Sequence, residues 1–211
     1  MDLSFIITSF NYSKYIRDSI NSCINQKPSN LKYEVIIIDD GSNDQTDLIL
    51  EEYKESNIKI LHSNRLGVEA ASNIAISESK GRYIVRVDAD DYLKTFFCCE
   101  VLKYINEGYD VIYSDYHVIN EDGQKLKDIH LPKFDEKEII LRGDFLATGT
   151  LIRRELFKEL NMYNENIKNC GLENYELILK ALIAKKTFKH LTNKLFMYRI
   201  HNKNLSLEKK E

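Results

Sequence analysis

The chain contains 211 residues, of which 43% are apolar and 30% are charged, and its formal net charge is −3. These proportions are those of an ordinary folded protein, so they exclude a disordered or fibrous chain. The length suits one domain with a sizeable core, or one domain with a small extension, and no nucleic-acid partner is expected.

The charge is spread unevenly along the chain. From Lys180 onward there are nine Lys or Arg residues against two Glu residues, which leaves 21 positive and 31 negative residues before it. The basic end is expected to meet an anionic membrane surface or a diphosphate. A solvated basic face is the alternative interpretation.

The cysteines and the N-terminus indicate a cellular location. The four cysteines, Cys23, Cys98, Cys99 and Cys170, form no Cys-x-x-Cys pair and are interpreted as reduced thiols. The N-terminus lacks the basic region and apolar core of a signal peptide, and no apolar run approaches the roughly 20 residues that span a bilayer. We therefore expect a cytoplasmic protein that can touch the inner face of the membrane peripherally.

Apolar runs alternate with helical patterns in the first half of the chain. The predicted strands are Leu3–Thr8, Tyr33–Ile38, Ile58–Leu61 and Tyr83–Val87. The predicted helices are Tyr15 to Ile24 with Ser13 as N-cap, a helix marked by Leu48, Ile49 and Tyr53, and Val68 to Ser79. This alternation predicts an α/β fold with a parallel, doubly wound sheet, whose strand ends lie along one edge.

The second half is less regular. Its predicted elements are a strand at Tyr109–Asp115, a hairpin turn at Asn120–Gly123 before Gln124–Ile129, a short helix at Asp135–Arg142, a strand or loop at Leu146–Ile152, and a helix at Leu172–Ala184. In the last helix, the residues expected to face inward are Leu172, Tyr175, Leu179, Leu182 and Ile183. We interpret the chain as one domain, with a nucleotide-binding half at 1–92 and a second half at 93–211 that completes the site.

Carboxylates follow two of the predicted strands directly. Asp39 and Asp40 follow the second strand, while Asp88, Asp90 and Asp91 follow the fourth. Clustered like charges cost free energy unless a cation or several donors compensate them, and ligands of open α/β sheets bind at these strand ends. A Mg²⁺ or Mn²⁺ ion carrying a phosphorylated ligand would explain both features. A solvated acidic loop is the alternative.

Six short motifs occur in order along the chain. They are Ile7-Thr-Ser-Phe-Asn11, Asp39-Asp-Gly-Ser42, Asn64 three residues before Gly67, Asp88-Ala-Asp-Asp91, Gly171-Leu-Glu-Asn174 and Tyr198-Arg-Ile-His201. Together they closely resemble the family 2 inverting glycosyltransferases of the GT-A fold, over about Leu3 to Ser206. One such motif is a weak signal, whereas six at family-like spacing are a strong one. The resemblance implies a Rossmann-like, mostly parallel sheet with a smaller mixed C-terminal half.

The resemblance also implies roles for individual residues. Thr8, Phe10 and Asp40 would hold the nucleotide base, with Asp40 accepting a hydrogen bond from the imide if the base is uracil. Asn64 would lie near the base or ribose, and Asp88 would contact the ribose. Asp90 and His201 would ligate Mn²⁺ or Mg²⁺. For His201 taken alone, a surface or core imidazole is the alternative.

The implied reaction transfers a sugar from a nucleotide-diphosphate sugar, expected to be UDP-linked, to a hydroxyl of a glycan or lipid-linked acceptor in bacterial surface polysaccharide assembly. Displacing the diphosphate builds negative charge that a metal would stabilise. A carboxylate on the opposite face would take the proton from the attacking hydroxyl. This single in-line displacement would invert the anomeric configuration.

Two departures from the family pattern affect this interpretation. Family members usually carry Glu-Asp where Glu173 and Asn174 stand, and Asn cannot accept the proton. Glu173 is therefore the expected base and Glu176 the alternative, while a non-catalytic nucleotide-sugar-binding protein is the alternative function. Ser72 stands where the family often has Arg, so Arg65, Arg86 or the basic tail would have to supply that cation.

Two other enzyme classes fit less well. A phosphohydrolase of the haloacid dehalogenase type normally carries its Asp-x-Asp after the first strand, with Thr or Val two residues on. Here the motif follows the fourth strand, and Tyr92 stands at that place. A nucleotidyltransferase would need a Gly-rich loop with Arg and Lys near the N-terminus, which Thr8 to Lys14 does not provide.

The resemblance to family 2 also implies that Ala147–Thr150 lines the acceptor side of the site.

Overall fold

The computed structural model describes residues 1–27, 30–53, 57–143, 146, 148–166, 173–202 and 204. The strands among them are β1 (Leu3–Ser9), β2 (Tyr33–Asp39), β3 (Ile58–His62), β4 (Tyr83–Asp88), β5 (Tyr92–Leu93), β6 (Val111–Ile119), β7 (Lys125–Ile129), β8 (Leu151–Arg153) and β9 (Phe188–Arg199). The helices are α1 (Ile16–Ile24), α2 (Thr46–Leu50), α3 (Val68–Glu78), α4 (Phe97–Glu107), α5 (Glu136–Arg142), α6 (Arg154–Glu159) and α7 (Glu173–Ile183).

The first half of the chain forms a parallel sheet in the order β3-β2-β1-β4. In this sheet Ser9 lies opposite Asp39, and Thr8 lies opposite Asp88 on the other side. The carboxyl ends of β1, β2 and β4 therefore meet at one edge. The prediction of a mostly parallel α/β sheet is confirmed.

Both faces of this sheet are covered, because successive side chains of a strand point to opposite faces. Phe5 and Ile7 of β1 pack in one apolar cluster with residues of α1 and α4, whereas Ile6 packs in a second cluster with residues of α3, α6 and α7. The two-sided burial explains why the strands are continuous apolar runs. Among the described residues, no helix has both the length and the apolar character required to cross a bilayer.

The second half extends the same sheet with mixed strand directions. β8 lies antiparallel between β4 and β6, β6 runs parallel to β9, and β7 pairs with β6 as an antiparallel hairpin. At its end β9 pairs with β5, the two-residue strand that follows the acidic loop. The backbone N–H of Arg199 donates to Asp91 Oδ1 at 2.8 Å. The last strand thus carries the end of the chain to the edge where β1 and β4 finish.

Two local predictions about helices were wrong. Ser13 does not cap α1, which begins at Ile16 after Tyr15, and the backbone N–H of Ser13 donates instead to Asp44 Oδ2 at 3.0 Å. The helix predicted from Leu48, Ile49 and Tyr53 does not reach Tyr53, because α2 ends at Leu50; it buries Ile49 and Leu50, whereas Leu48 is 65% exposed.

The face of α7 was also predicted wrongly in part. The helix buries Leu177, Ile178 and Ala181 against the sheet, whereas Ile183 is 81% exposed. Tyr175, Leu179 and Leu182 are half-buried at the margins of this contact, and Leu172 lies outside the described residues. Apolar residues surround this helix on most sides, so its hydrophobic pattern fits more than one inward face.

Candidate active site

A cleft of about 1190 Å³ opens at the carboxyl ends of β1 and β2. Its lining residues are Thr8, Ser9, Phe10, Asn11, Tyr12, Ser13, Lys14, Tyr15, Asp40, Asp44, Arg65, Gly67, Val68, Ala71, Glu121, His201 and Asn202. Four residues that the sequence predicted for a nucleotide or a metal are among them, namely Thr8, Phe10, Asp40 and His201. The fold therefore brings the beginning and the end of the chain to one cavity.

Asp40 follows β2 and is only 7% exposed. Its Oδ1 accepts hydrogen bonds from Ser63 Oγ at 2.7 Å and from the Leu66 N–H at 2.8 Å, and its Oδ2 accepts one from the Gly67 N–H at 2.9 Å. Gly67 has a φ of 99°, a conformation that favours glycine, and it precedes the first residue of α3. The carboxylate thus fixes the loop that enters α3, and its Oδ2 retains acceptor capacity towards the cleft.

An arginine covers the aromatic ring on the cleft wall. The Arg65 guanidinium lies 4.5 Å from the centroid of the Phe10 ring, which is a cation–π distance. Arg65 lines the cleft, whereas its neighbour Asn64 is exposed and is not among the lining residues. Ser72 is fully buried in α3. Arg65 therefore lies where it could replace the arginine that Ser72 lacks, whereas Arg86 lines a separate, smaller cavity.

Hydrogen bonds join the loops that follow β1 and β2. The Asn11 N–H donates to Ser42 Oγ at 2.9 Å, and the Asn43 N–H donates to Asn11 Oδ1 at 2.8 Å. Asn11 has a φ of 61°, a left-handed conformation that Asn tolerates better than most residues. This reciprocal contact sets the position of Phe10 relative to Asp40.

The acidic loop after β4 lies beside this cleft. Asp88 lies opposite Thr8 in the sheet, and its backbone N–H donates to Thr148 Oγ1 at 3.2 Å. Asp90 contacts His201, which lines the cleft, and His201 Nε2 is 2.9 Å from Asp90 Oδ2. Burial, reinforced by the carboxylates of Asp90 and Asp88, raises the pKa of Asp91 well above its ordinary range. Within the described part of the chain, Asp91 Oδ2 accepts no hydrogen bond although it is buried.

Arg199 ties this loop to the rest of the site. Its Nε donates to the Asp90 carbonyl at 2.8 Å, its Nη1 to the Glu121 carbonyl at 2.9 Å, and its Nη2 to Asp18 Oδ2 at 2.7 Å. The side chain is 3% exposed. Sequence reasoning did not assign this arginine a role, and its only signal was its place in Tyr198-Arg-Ile-His201.

Asn204 is a second residue that the sequence did not single out. Its Nδ2 donates to Asp90 Oδ2 at 3.2 Å and to the Arg199 carbonyl at 2.9 Å, while its Oδ1 accepts the His201 N–H at 2.6 Å. It therefore holds His201 against Asp90. No local pattern predicts such a contact, because an asparagine after a strand is as common in an ordinary turn.

The residues around Asp90 fit a divalent cation. Asp90 and His201 present a carboxylate oxygen and an imidazole nitrogen 2.9 Å apart, and carboxylate oxygens suit Mg²⁺ and Mn²⁺. The raised pKa of Asp91 and its buried unsatisfied oxygen indicate that the protein donors leave this loop short of positive charge. A cation would supply that charge.

Another group of potential metal ligands lies at the last residues of β2 and β3 and at the start of α2. Ligand atoms of Asp39, Asp47 and His62 all lie within 4.8 Å of one another, and Asp39 pairs with His62 across the two strands. Asp47 and His62 are exposed, and His62 Nδ1 is 3.4 Å from Asp47 Oδ1. The sequence did not predict this group, because Asp47 and His62 belong to no motif.

The predicted base lies at the start of α7. Glu173 is 8% exposed, and its Oε1 accepts a hydrogen bond from Arg86 Nη1 at 3.0 Å. Glu176 instead pairs with Lys180 on the helix surface at 2.9 Å. The Tyr163 hydroxyl donates to Asn174 Oδ1 at 3.2 Å, in a small cavity that Arg86 also lines. The Gly171 and Leu172 positions of this motif lie outside the described residues.

Comparison with known proteins assigns the family. The model of the family described as "Glycosyl transferase family 2" matches residues 4–161. The poly(ribitol-phosphate) β-N-acetylglucosaminyltransferase TarS of Staphylococcus aureus is 28% identical over 208 residues, covering 94% of this chain and 35% of TarS. The hyaluronan synthase of Pasteurella multocida is 28% identical over 214 residues, covering 98% of this chain and 21% of the synthase. The chain therefore spans about a third of TarS and less of the synthase.

Solved structures support the same fold. The crystal structure of S. aureus TarS residues 1–349 in complex with UDP-GlcNAc superposes with a TM-score of 0.80 at 22% identity, covering 98% of this chain and 61% of that one. The complex of the same TarS fragment with UDP gives a TM-score of 0.73 at 24% identity, covering 95% and 61%. The shared fold is GT-A. The chain belongs to glycosyl transferase family 2.

Proposed function

We propose that this protein is an inverting, metal-dependent glycosyltransferase that moves a sugar from a UDP-sugar to a hydroxyl of a glycan or lipid-linked acceptor. The observation that carries the proposal is the single cleft lined by Thr8, Phe10, Asp40 and His201, with Asp90 bonded to His201. These residues lie at the carboxyl ends of parallel strands, where α/β folds bind nucleotides.

The hydrogen bonds of Asp40 favour a base with one imide N–H. Three protein donors already occupy this carboxylate, two at Oδ1 and one at Oδ2. Each carboxylate oxygen accepts about two hydrogen bonds, so one further donor fits at Oδ2. Uracil offers a single imide N–H, whereas guanine offers neighbouring N–H donors that are best met by both oxygens. Phe10 would stack on the base. Arg65 would remain near the outer face of the base or near the phosphates.

Asp90 and His201 are the proposed ligands of Mn²⁺ or Mg²⁺. When bound, such an ion stabilises the negative charge that develops on the departing diphosphate. Asp88, which lies beside Thr8 in the sheet, would accept hydrogen bonds from the ribose. Asn64 would approach the base or ribose from the loop that Asp40 fixes.

Glu173 is the proposed base. Glu176 pairs with Lys180 on the helix surface, and Asn174 can take no proton. Glu173 remains, and Arg86, which pairs with it, also pairs with Asp88. Glu173 would accept the proton of the attacking hydroxyl as the sugar leaves the diphosphate. One displacement on the face opposite the leaving group inverts the anomeric centre.

The acceptor is proposed to belong to a cell-surface polymer. TarS is named for transfer to poly(ribitol phosphate), and the Pasteurella relative is named for hyaluronan synthesis. Exposed basic residues of the C-terminal part, such as Lys185, would bring the protein to an anionic surface, whereas Arg199 is buried and Lys180 and Lys186 pair with glutamates.

A second candidate function is non-catalytic binding of a nucleotide sugar. The observation that favours it is the hydrogen bond between Tyr163 and Asn174, which puts a neutral amide where the family usually has an acid. Such a protein would bind the donor through the same cleft and release no nucleotide.

Turnover of a panel of nucleotide sugars with Mn²⁺ tests the proposal and separates the two candidates. The enzyme releases UDP from at least one UDP-sugar when an acceptor is present, and the product carries the inverted anomeric configuration by NMR. Asp90→Ala abolishes this release, whereas Asp122→Ala, which changes an exposed carboxylate on the β6–β7 turn, does not. Binding of a UDP-sugar by the wild type without release supports the second candidate instead.

A further inference from the structure

One guanidinium, that of Arg86, contacts both the nucleotide side and the acceptor side of the proposed site. Arg86 and Asp88 are two residues apart on β4, so their side chains share one face of the strand. Arg86 Nε is 3.2 Å from Asp88 Oδ1, while Arg86 Nη1 is 3.0 Å from Glu173 Oε1 on α7. Asp88, proposed to bind the donor, and Glu173, proposed to act on the acceptor, therefore both interact with the Arg86 guanidinium.

Burial makes this arrangement sensitive to the charge of either acid. The side chains of Arg86 and Glu173 are 12% and 7% exposed, and that of Asp88 is 34% exposed. Burial alone would lower the pKa of Arg86, but the two carboxylates outweigh it and raise that pKa well above its ordinary value. The arginine therefore stays charged, and charge interactions are stronger here than between exposed groups.

The backbone holds Arg86 in this place. The Gly149 N–H donates to the Arg86 carbonyl at 2.9 Å, and the guanidinium lies 5.9 Å from the Tyr163 ring centroid. Its planar group offers several donors in fixed directions, so it can serve two carboxylates at once. A lysine ammonium at this position would favour one of them.

We propose that Arg86 is a positioning residue that couples the nucleotide site at Asp88 to Glu173. The inference rests on the proposed function, because it requires a ribose at Asp88. A ribose hydroxyl that bonds to Asp88 competes with Arg86 for this carboxylate and leaves more of the guanidinium to Glu173. Thermodynamic reciprocity then requires that a change in the charge of Glu173 alters the affinity for UDP.

The direction of this effect separates coupling from simple repulsion. When Glu173→Gln removes one partner, Arg86 shifts towards Asp88, competes with the ribose, and weakens UDP binding. Loss of a negative charge near a diphosphate would otherwise tighten UDP binding through Coulomb's law. The two explanations therefore predict opposite signs.

Calorimetric titration of UDP with Mn²⁺ tests this inference in a double-mutant cycle of Arg86→Gln and Glu173→Gln. Glu173→Gln is expected to weaken UDP binding about fivefold or more in the wild-type background, as is typical of coupled sites. In the Arg86→Gln background it is expected not to weaken UDP binding, because only the direct charge effect remains there. Arg86→Lys is expected to abolish the effect as well, which keeps the test available if Arg86→Gln does not fold. Glu176→Gln, the matched loss of charge one turn further along α7, should leave UDP affinity unchanged.

Tighter UDP binding by Glu173→Gln, or an equal loss with and without Arg86, overturns the coupling while leaving the proposed function intact. A wild-type protein that binds no UDP overturns the proposed function, and the coupling with it. If turnover is observed, Arg86→Gln should lower kcat for transfer by more than it raises KM for the acceptor, because Arg86 orients the base and not the acceptor.

Discussion

The His201 imidazole and the Asp90 carboxylate hydrogen-bond at 2.9 Å although 111 residues separate them in the chain. With an ionised carboxylate, which only accepts, His201 Nε2 is the donor of this hydrogen bond, and a cation ligated by Nε2 would replace that proton. Asn204 supports the contact from one side, and Arg199 binds the Asp90 carbonyl from another. The proposed metal site is therefore completed by Arg199 at the end of β9 and by residues that follow this strand.

Replacement of Arg199 by lysine is expected to destabilise the fold. Arg199 donates to Asp18, to the Glu121 carbonyl and to the Asp90 carbonyl, and an ammonium group on a shorter side chain cannot satisfy all three. Loss of a hydrogen bond from a buried charged group costs about 2 kcal/mol. Urea denaturation measures the cost. Arg17→Lys, which changes an arginine paired with Glu52 at the surface, should cost much less, because solvent screens that pair. Equal losses in the two variants would contradict the role given to Arg199.

Replacement of Phe10 by alanine should weaken binding of UDP. Stacking of a base on an aromatic side chain contributes about 1–3 kcal/mol, so affinity should fall about tenfold. Phe10→Tyr keeps the aromatic face and should bind UDP as the wild type does. Calorimetric titration compares the three proteins, and an alanine variant with unchanged affinity would remove Phe10 from the nucleotide site.

The stability contributed by Asp110 should depend on pH. Burial alone would raise the pKa of Asp110, but hydrogen bonds from Thr187 and from Arg153 outweigh it and lower the pKa below its ordinary value of 3.8. A depressed pKa stabilises the folded state above the ordinary pKa, and this contribution is lost as the pH falls through the folded value.

Asp110→Asn should therefore cost about 2 kcal/mol at pH 7, as expected for hydrogen bonds to a charged group. The gap in stability between variant and wild type should begin to narrow below pH 3.8 and be smaller at pH 3 than at pH 7, because the carboxyl of the unfolded wild type is protonated there before that of the folded protein. Urea midpoints at the two pH values measure this gap. A gap of the same size at both would mean that the charge of Asp110 contributes nothing.

The accessible cysteine should be Cys99. Burial raises the pKa of Cys98 to about 12 and also raises the pKa of Cys23, whereas Cys99 is exposed. Thiol reactivity follows the thiolate and its access to solvent. In a Cys170→Ser background, iodoacetamide at pH 8 should label Cys99 alone within the time that the protein stays folded. Labelling of Cys98 at a comparable rate would contradict the packing of α4 described here.

The parallel half of the fold was predictable because its signals are local. Each strand is an unbroken apolar run such as Val35 to Ile38, and each is followed by turn residues and a helical pattern. Prediction failed where a non-local partner decides the structure. Ser13 would suit a helix cap, yet its N–H is taken by Asp44 from a loop after another strand. The exposure of Ile183 likewise depends on which face of α7 meets the sheet.

The candidate site divides in the same way. The strand-end position of Asp40 and Asp90 follows from the sequence pattern, because parallel strands align their carboxyl ends. Their partners do not follow from it. The contact of Arg86 with Glu173 joins β4 to α7 across 87 residues, and no spacing rule connects two such positions.

UDP affinity measured by calorimetry with and without Mn²⁺, in the wild type and in Asp90→Asn, tests the central claim most directly. The wild type should bind UDP about tenfold more tightly with Mn²⁺, a difference of about 1.4 kcal/mol. Asp90→Asn should lose this gain while it keeps the metal-independent affinity that Phe10 and Asp40 provide. A wild type with the same affinity in both conditions, or an Asp90→Asn variant that keeps the full gain, would contradict a cation held by Asp90 and His201.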